Sequence, residues 1–152
     1  MSTTESKAAA FVPAVTVTGN AASFLQSVQA GRHVIVADEP AASGGGDQGP
    51  DPYDLLLSAL GTCTSMTVGL YARNKGIPLE GIVVQLSHQR IHAGDCAECE
   101  TKAGFVAHIR RFIQLRGALS AEQRQRLLQI ADKCPVHRTL TSEIRITTEL
   151  VD

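Results

Sequence analysis

Apolar and polar positions change their period several times along this chain, and each change marks an element. Residues 1–10 are polar and Ala-rich and read as a frayed tail, which leaves 11–152 as one domain. Val12 to Thr18, rich in Val and Thr, predicts a strand, and Arg32 to Ala37, around Val34, Ile35 and Val36, predicts a second. From Pro40 to Pro52 the pattern collapses into small residues with four Gly and three Pro. That is a long loop for a small domain and a candidate functional one.

A helix is predicted from Pro52 to Asn74. Asp51 suits its N-cap, Pro52 its first turn and Asp54 the acid of a capping box, while Gly76 and Pro78 supply the stop. Leu55, Leu56, Leu57, Leu60, Met66, Val68 and Leu70 leave almost no charged face before Arg73. A helix apolar nearly all round is expected to be the buried centre of its domain. Beyond it, Ile82 to Ile91 alternates, as does Phe105 to Leu115, and both predict half-buried strands joined by the polar connection 92–104. A second helix is predicted to open at Ser120 with Gln123 completing its capping box, and Glu143 to Leu150 alternates as a closing strand. Strands grouped around two helices argue an α+β fold with mainly antiparallel pairing. So small a chain needs cover for its apolar helix, and a homodimer sharing its core would provide it.

Composition narrows the function. With 14 Lys plus Arg against 15 Asp plus Glu, the net charge is −1, and there is no Trp. Neither a basic surface for phosphate backbones nor a platform for base stacking is present, so no nucleic-acid partner is expected. No stretch is read as apolar and long enough to span a bilayer, so no membrane partner is expected. The N-terminus has no basic region followed by a long apolar one, and the expected compartment is the cytoplasm. Cysteines there are more often reactive or metal-binding than structural disulfides.

The four Cys carry the candidate chemistry. Cys63 lies midway along the predicted central helix, in GTCTSM. It reads either as a small apolar filler or as a thiol whose small hydroxylated neighbours leave room for a substrate. Cys134, in ADKCPVHRTL, precedes a Pro that can open a new helical turn with Cys134 as its N-cap. Free backbone N–H groups there lower a thiol pKa, and His137 and Arg138 add positive charge one turn on. A Cys-Pro corner with solvated basic residues is the bland alternative. Cys96 and Cys99 form a lone CxxC among Asp95, Glu98 and Glu100, with His88 and His92 upstream. A zinc site is conceivable there, but the expectation is an exposed acidic loop without metal, dispensable for activity.

GPDPYDLLLSALGTCTSMTV, followed far downstream by ADKCPVHRTL, resembles the OsmC/Ohr family over roughly Val15 to Leu150. The resemblance implies an OsmC-like α+β fold, an intertwined homodimer whose antiparallel sheets enclose a long buried central helix. It implies reduction of organic hydroperoxides, with hydrogen peroxide a lesser substrate. Cys63 would be the peroxidatic thiol and Cys134 the resolving one, with no bound cofactor and an external dithiol, such as a lipoyl protein, as reductant. Arg32 is the candidate for the family's thiolate-holding arginine. Asp51, Tyr53, Asp54 and His137 are the candidate substrate-binding residues. The Ohr-type Glu after the helix-opening Pro is absent: Tyr53 stands there, and the acid is Asp54. Electrostatics favour Cys134 as the more acidic thiol, whereas the resemblance gives the attack to Cys63. Two other classes keep the same residues: a redox-sensing or ligand-binding protein without peroxidase turnover, and a zinc-stabilised module.

Overall fold

The computed structural model describes residues 12–151, so the expected tail over 1–10 lies outside the described residues. The chain divides between Pro52 and Tyr53 into two compact units. In the first, β1 (Val15–Gly19), β2 (Gln26–Ala30) and β3 (His33–Ala37) form an antiparallel sheet in that order. β1 and β3 match the two strands expected here. β2, with sequence QSVQA, carries too little apolar pattern to be read as a strand. It is one because both its edges are paired, with Val28 opposite Val17 on one side and Ile35 on the other. Its turn to β3 has only Gly31 and Arg32 between the paired Ala30 and His33, and Gly31 takes the left-handed conformation at φ 59°.

The Gly-rich loop is organised around Asp38, which is 3% exposed. One side-chain oxygen of Asp38 accepts from the Glu39 N–H at 2.8 Å, and the other accepts from Gly46 at 3.0 Å and Gln48 at 3.2 Å. Gly45 lies so close to the Glu39 carbonyl, and Gly49 to that of Val36, that a Cβ at either would collide with backbone. The small residues that suggested a functional loop therefore let this segment fold tightly on its own carboxyl anchor.

The second unit holds α1 (Pro52–Lys75) apart from its first residue, together with β4 (Gly81–His92), β5 (Phe105–Arg116), α2 (Ala121–Ala131) and α3 (Pro135–Leu140). β4 and β5 pair antiparallel from Gly81 opposite Arg116 to His92 opposite Phe105. α1 stops at Gly76, whose φ is 62°, with the Ile77 N–H returning to the Ala72 carbonyl. The capping box of α2 is present: Ser120 Oγ accepts from Gln123 N–H at 3.1 Å and Gln123 Oε1 from Ser120 N–H at 3.0 Å. Val68 and Ala72 of α1 form the core with Leu127, Ile130 and Ala131 of α2, against Ile82, Ile113 and Leu115 of the sheet. Gly61 sits over Leu86, where a Cβ would lie 2.8 Å from Cδ1, and Gly69 sits near Ile82. Eight residues of helix and four of strand both span roughly 12–13 Å. α1 therefore runs antiparallel along β4, and Gly61 permits the close approach.

Three expectations need correction. Glu143 to Leu150 forms no strand among the described residues, although it alternates. Alternation sorts side chains between two faces, but a strand also needs a partner edge, and this segment pairs with none among the described residues; Ile146 is 84% exposed. α1 is not buried all round. Leu60, Gly61, Thr64, Val68 and Ala72 make one buried face, while Leu56, Met66 and Leu70 are exposed, because the hairpin and α2 cover only one side. α1 is also long and apolar enough to cross a membrane by length and composition, with mean hydropathy 1.4 over its best window. Its glycines and hydroxyl residues interrupt the run without lowering that mean enough.

Asp38→Ala removes the charged acceptor of three backbone N–H groups and is expected to cost about 1–3 kcal/mol. Hydrogen exchange should show the Gly46 and Gln48 amides losing protection first; unchanged protection there would show that the loop does not depend on Asp38.

Candidate thiol site

Cys134 owes its place to the turn between α2 and α3. Pro135 cannot continue α2 but opens α3, and Cys134 becomes the N-cap. Its Sγ accepts the His137 N–H at 3.3 Å, and the residue is wholly buried. Cys63, one position before Thr64 on α1, is half-buried. Both thiols are free, and the Cys63 side chain is near enough to Cys134 to help lower its pKa. Burial pushes the Cys134 thiol up. The neighbouring Cys63 side chain, the His137 and Val136 backbone N–H groups and the Thr64 side chain outweigh that effect, and its pKa is lowered.

Thr64, fully buried, links the thiols to a cation. Its Oγ1 donates to the Leu60 carbonyl at 2.7 Å and accepts from Arg111 Nη1 at 2.9 Å. Arg111 comes from the inward face of β5, with its side chain 12% exposed. Its Nη2 pairs with Asp132 Oδ1 at 2.6 Å, and the same oxygen stands 3.9 Å from His137 Nδ1. Arg111 and His137 also border a cleft of about 310 Å³ whose apolar wall includes Leu60, Ala107, Ile109 and Leu140. That volume suits a small organic molecule. The arrangement joins two free thiols, a largely buried cation one hydroxyl away and an adjacent apolar cleft.

The family model for OsmC-like protein matches residues 44–149, a span that contains all four Cys. The chain belongs to the OsmC-like family. Among curated proteins none matches it in sequence. Solved structures agree on the fold. An OsmC-like protein from Mycoplasma pneumoniae superposes with a TM-score of 0.66 at 22% identity, covering 83% of this chain and 84% of that one. An organic hydroperoxide resistance protein from Elizabethkingia anophelis gives 0.63 at 18% identity, covering 86% and 89%. The organic hydroperoxide resistance protein OsmC from Legionella pneumophila gives 0.62 at 18% identity, covering 88% and 91%.

Of the residues expected to form the site in this OsmC-like chain, Cys63, Cys134 and His137 are brought together. Tyr53 stacks on His88 at the start of α1, with ring centroids 4.3 Å apart, ten residues before Cys63. Asp54 is exposed on the same first turn. Asp51 and Arg32 belong to the first unit, Asp51 half-buried before α1 and Arg32 exposed in the β2–β3 turn. Within the second unit the cation beside the thiols is Arg111, which sequence reading missed. The signal was an Arg in phase with Ile109, Ile113 and Leu115, facing inward on a half-buried strand. Such a residue requires a partner, because an unpaired buried charge is costly.

The lowered pKa of Cys134 sets a titration order. Thiolate absorbance is expected to appear first below the ordinary free-thiol value of roughly 8.5. Cys134→Ala should remove that early step. Cys63→Ala should keep it but move it upward, since burial stays while the lowering effect of the Cys63 side chain is lost. An early step that survives in Cys134→Ala would assign the acidic thiol to Cys63 instead.

Proposed function

We propose that this OsmC-like chain is a thiol peroxidase that reduces organic hydroperoxides at Cys63 and Cys134 in the cytoplasm. The observation that carries this reading is that the fold brings its two free thiols, 71 residues apart in sequence, into one neighbourhood: Cys63 adjoins Thr64, which Arg111 ties to Asp132, two residues before Cys134. Family membership and the fold shared with organic hydroperoxide resistance proteins support it. Cys134 is the more acidic thiol but is wholly buried, whereas Cys63 is partly open. Passing one proton from Cys63 to Cys134 places the thiolate on Cys63, where a peroxide arrives first.

The Cys63 thiolate attacks the O–O bond and becomes a sulfenic acid, and the departing alkoxide takes the proton held on Cys134. The Cys134 thiolate then attacks the Cys63 sulfur, closing a disulfide and expelling hydroxide, which is protonated to water. Two electrons have passed from the thiols to the peroxide. An external dithiol, of the lipoyl type, restores both thiols by exchange. Arg111 acts through Thr64 and Asp132, fixing the end of α2 and hence the Cys134 turn against α1. The apolar wall of the cleft favours hydrophobic hydroperoxides over hydrogen peroxide.

The same reading includes a homodimer. Leu56, Met66 and Leu70 on the open face of α1, and Ile144, Ile146 and Leu150 in the unpaired C-terminal segment, are apolar and exposed. A second copy can cover the first set and offer an edge to the second.

After one equivalent of an organic hydroperoxide, mass spectrometry is expected to find a new Cys63–Cys134 disulfide. Cys63→Ser should abolish peroxide consumption, while Cys134→Ser should turn over once and leave Cys63 as sulfenic acid. Full activity in Cys63→Ser with none in Cys134→Ser would reverse the roles, and no oxidation of either thiol would exclude the function. Assembly is tested separately. The unfolding midpoint should rise with protein concentration, and Met66→Asp should abolish that dependence; a stable, active monomer would contradict the dimer.

A further inference from the structure

The second cysteine pair lies apart from this site. Cys96 and Cys99 are joined as a disulfide, with Cα atoms 5.4 Å apart, in the loop between β4 and β5. Six ladder positions separate the Leu86–Arg111 pair from the last pair, His92–Phe105, which is roughly 20 Å along the strands. Within one chain this bridge is therefore out of reach of Cys63 and Cys134.

As a staple it is poorly placed. A cross-link constrains the unfolded chain least when the loop it closes is short, and this one spans three residue steps. The loop is already closed without it, by the whole β4–β5 ladder and by the Ala93 N–H donating to the Gly104 carbonyl at 2.9 Å. A metal is no better served. His88 stacks on Tyr53, His92 packs on Phe105 with Arg90 over the same ring, and no metal-binding cluster occurs among the described residues. What remains is CxxC spacing, the spacing of exchangeable dithiols, at the end of a hairpin with both residues only half-buried.

We propose that Cys96 and Cys99 form a second redox centre, an accessible disulfide that exchanges with small uncharged dithiols. A thiolate of the dithiol attacks one sulfur, the Cys96–Cys99 bond breaks and a mixed disulfide forms, while the released thiolate takes a proton. The second thiol of the reductant, once deprotonated, closes on its own mixed-disulfide sulfur. The other cysteine is released and protonated. Two electrons enter the chain, which gains two S–H groups, and the dithiol leaves as a cyclic disulfide. The surroundings choose the reductant. Asp95, Glu98 and Glu100 are exposed around the bridge, and the only nearby cation of the loop, Lys102, is turned to the Cys99 carbonyl at 2.7 Å. The excess negative charge repels a dithiol that carries its own carboxylate.

The test uses the full chain with Cys63→Ser and Cys134→Ser, so that its result does not depend on the peroxide chemistry. Native protein is treated with dihydrolipoamide or with dihydrolipoate, and new thiols are counted by alkylation and mass spectrometry. Complete reduction in the folded state is expected, several-fold faster with the uncharged dihydrolipoamide. The difference should shrink in high salt and in Glu98→Gln/Glu100→Gln. A bridge that yields only on unfolding, equal rates with both reductants at low salt, or thiols isolated holding zinc would each overturn the proposal.

Discussion

A guanidinium on the inward face of a β-strand must be paired, and the way Arg111 is paired holds the thiol site together. One nitrogen reaches Thr64 on α1, another the Asp132 carboxylate at the end of α2, and the Ala131 carbonyl lies at 3.5 Å. Three segments distant in sequence thus meet at one side chain. Asp132 is two residues before Cys134, and Thr64 is next to Cys63, so the bonds that satisfy Arg111 also set the two thiols against each other. Loss of such a side chain strands its partners as well as its charge.

The same packing explains why α1 carries chemistry. A helix interior offers a thiol no free N–H groups, so Cys63 has no local source of activation. The activation sits on Cys134, whose turn supplies backbone donors, and under the proposed function it reaches Cys63 by proton transfer. Small residues on the buried face make the geometry possible. Gly61 lets α1 lie close on Leu86, and Thr64 fits wholly inside while keeping both its donor and its acceptor satisfied. The opposite face of α1 is also apolar, and its Leu56, Met66 and Leu70 are exposed.

Local chemistry was legible in the sequence. Pro135 after Cys134 dictates a helix N-cap because proline lacks an N–H and fixes φ. Ser120 and Gln123 dictate a capping box, Gly76 a helix end, and the period-two patterns of β4 and β5 their half-buried faces. These depend on neighbours a few residues apart, which a sequence displays directly. The pairing of Cys63 with Cys134 entered through resemblance. Only the tertiary structure decided which groups touch across long separations. It made a strand of the polar segment QSVQA by placing an edge on each side, while the better-patterned 143–150 met no such edge among the described residues. It turned the inward position of Arg111 into a bond with Thr64, and it covered one face of an all-apolar helix while leaving the other open. Strand pairing, burial and charge partnership are properties of two surfaces at once, and a linear pattern describes only one of them.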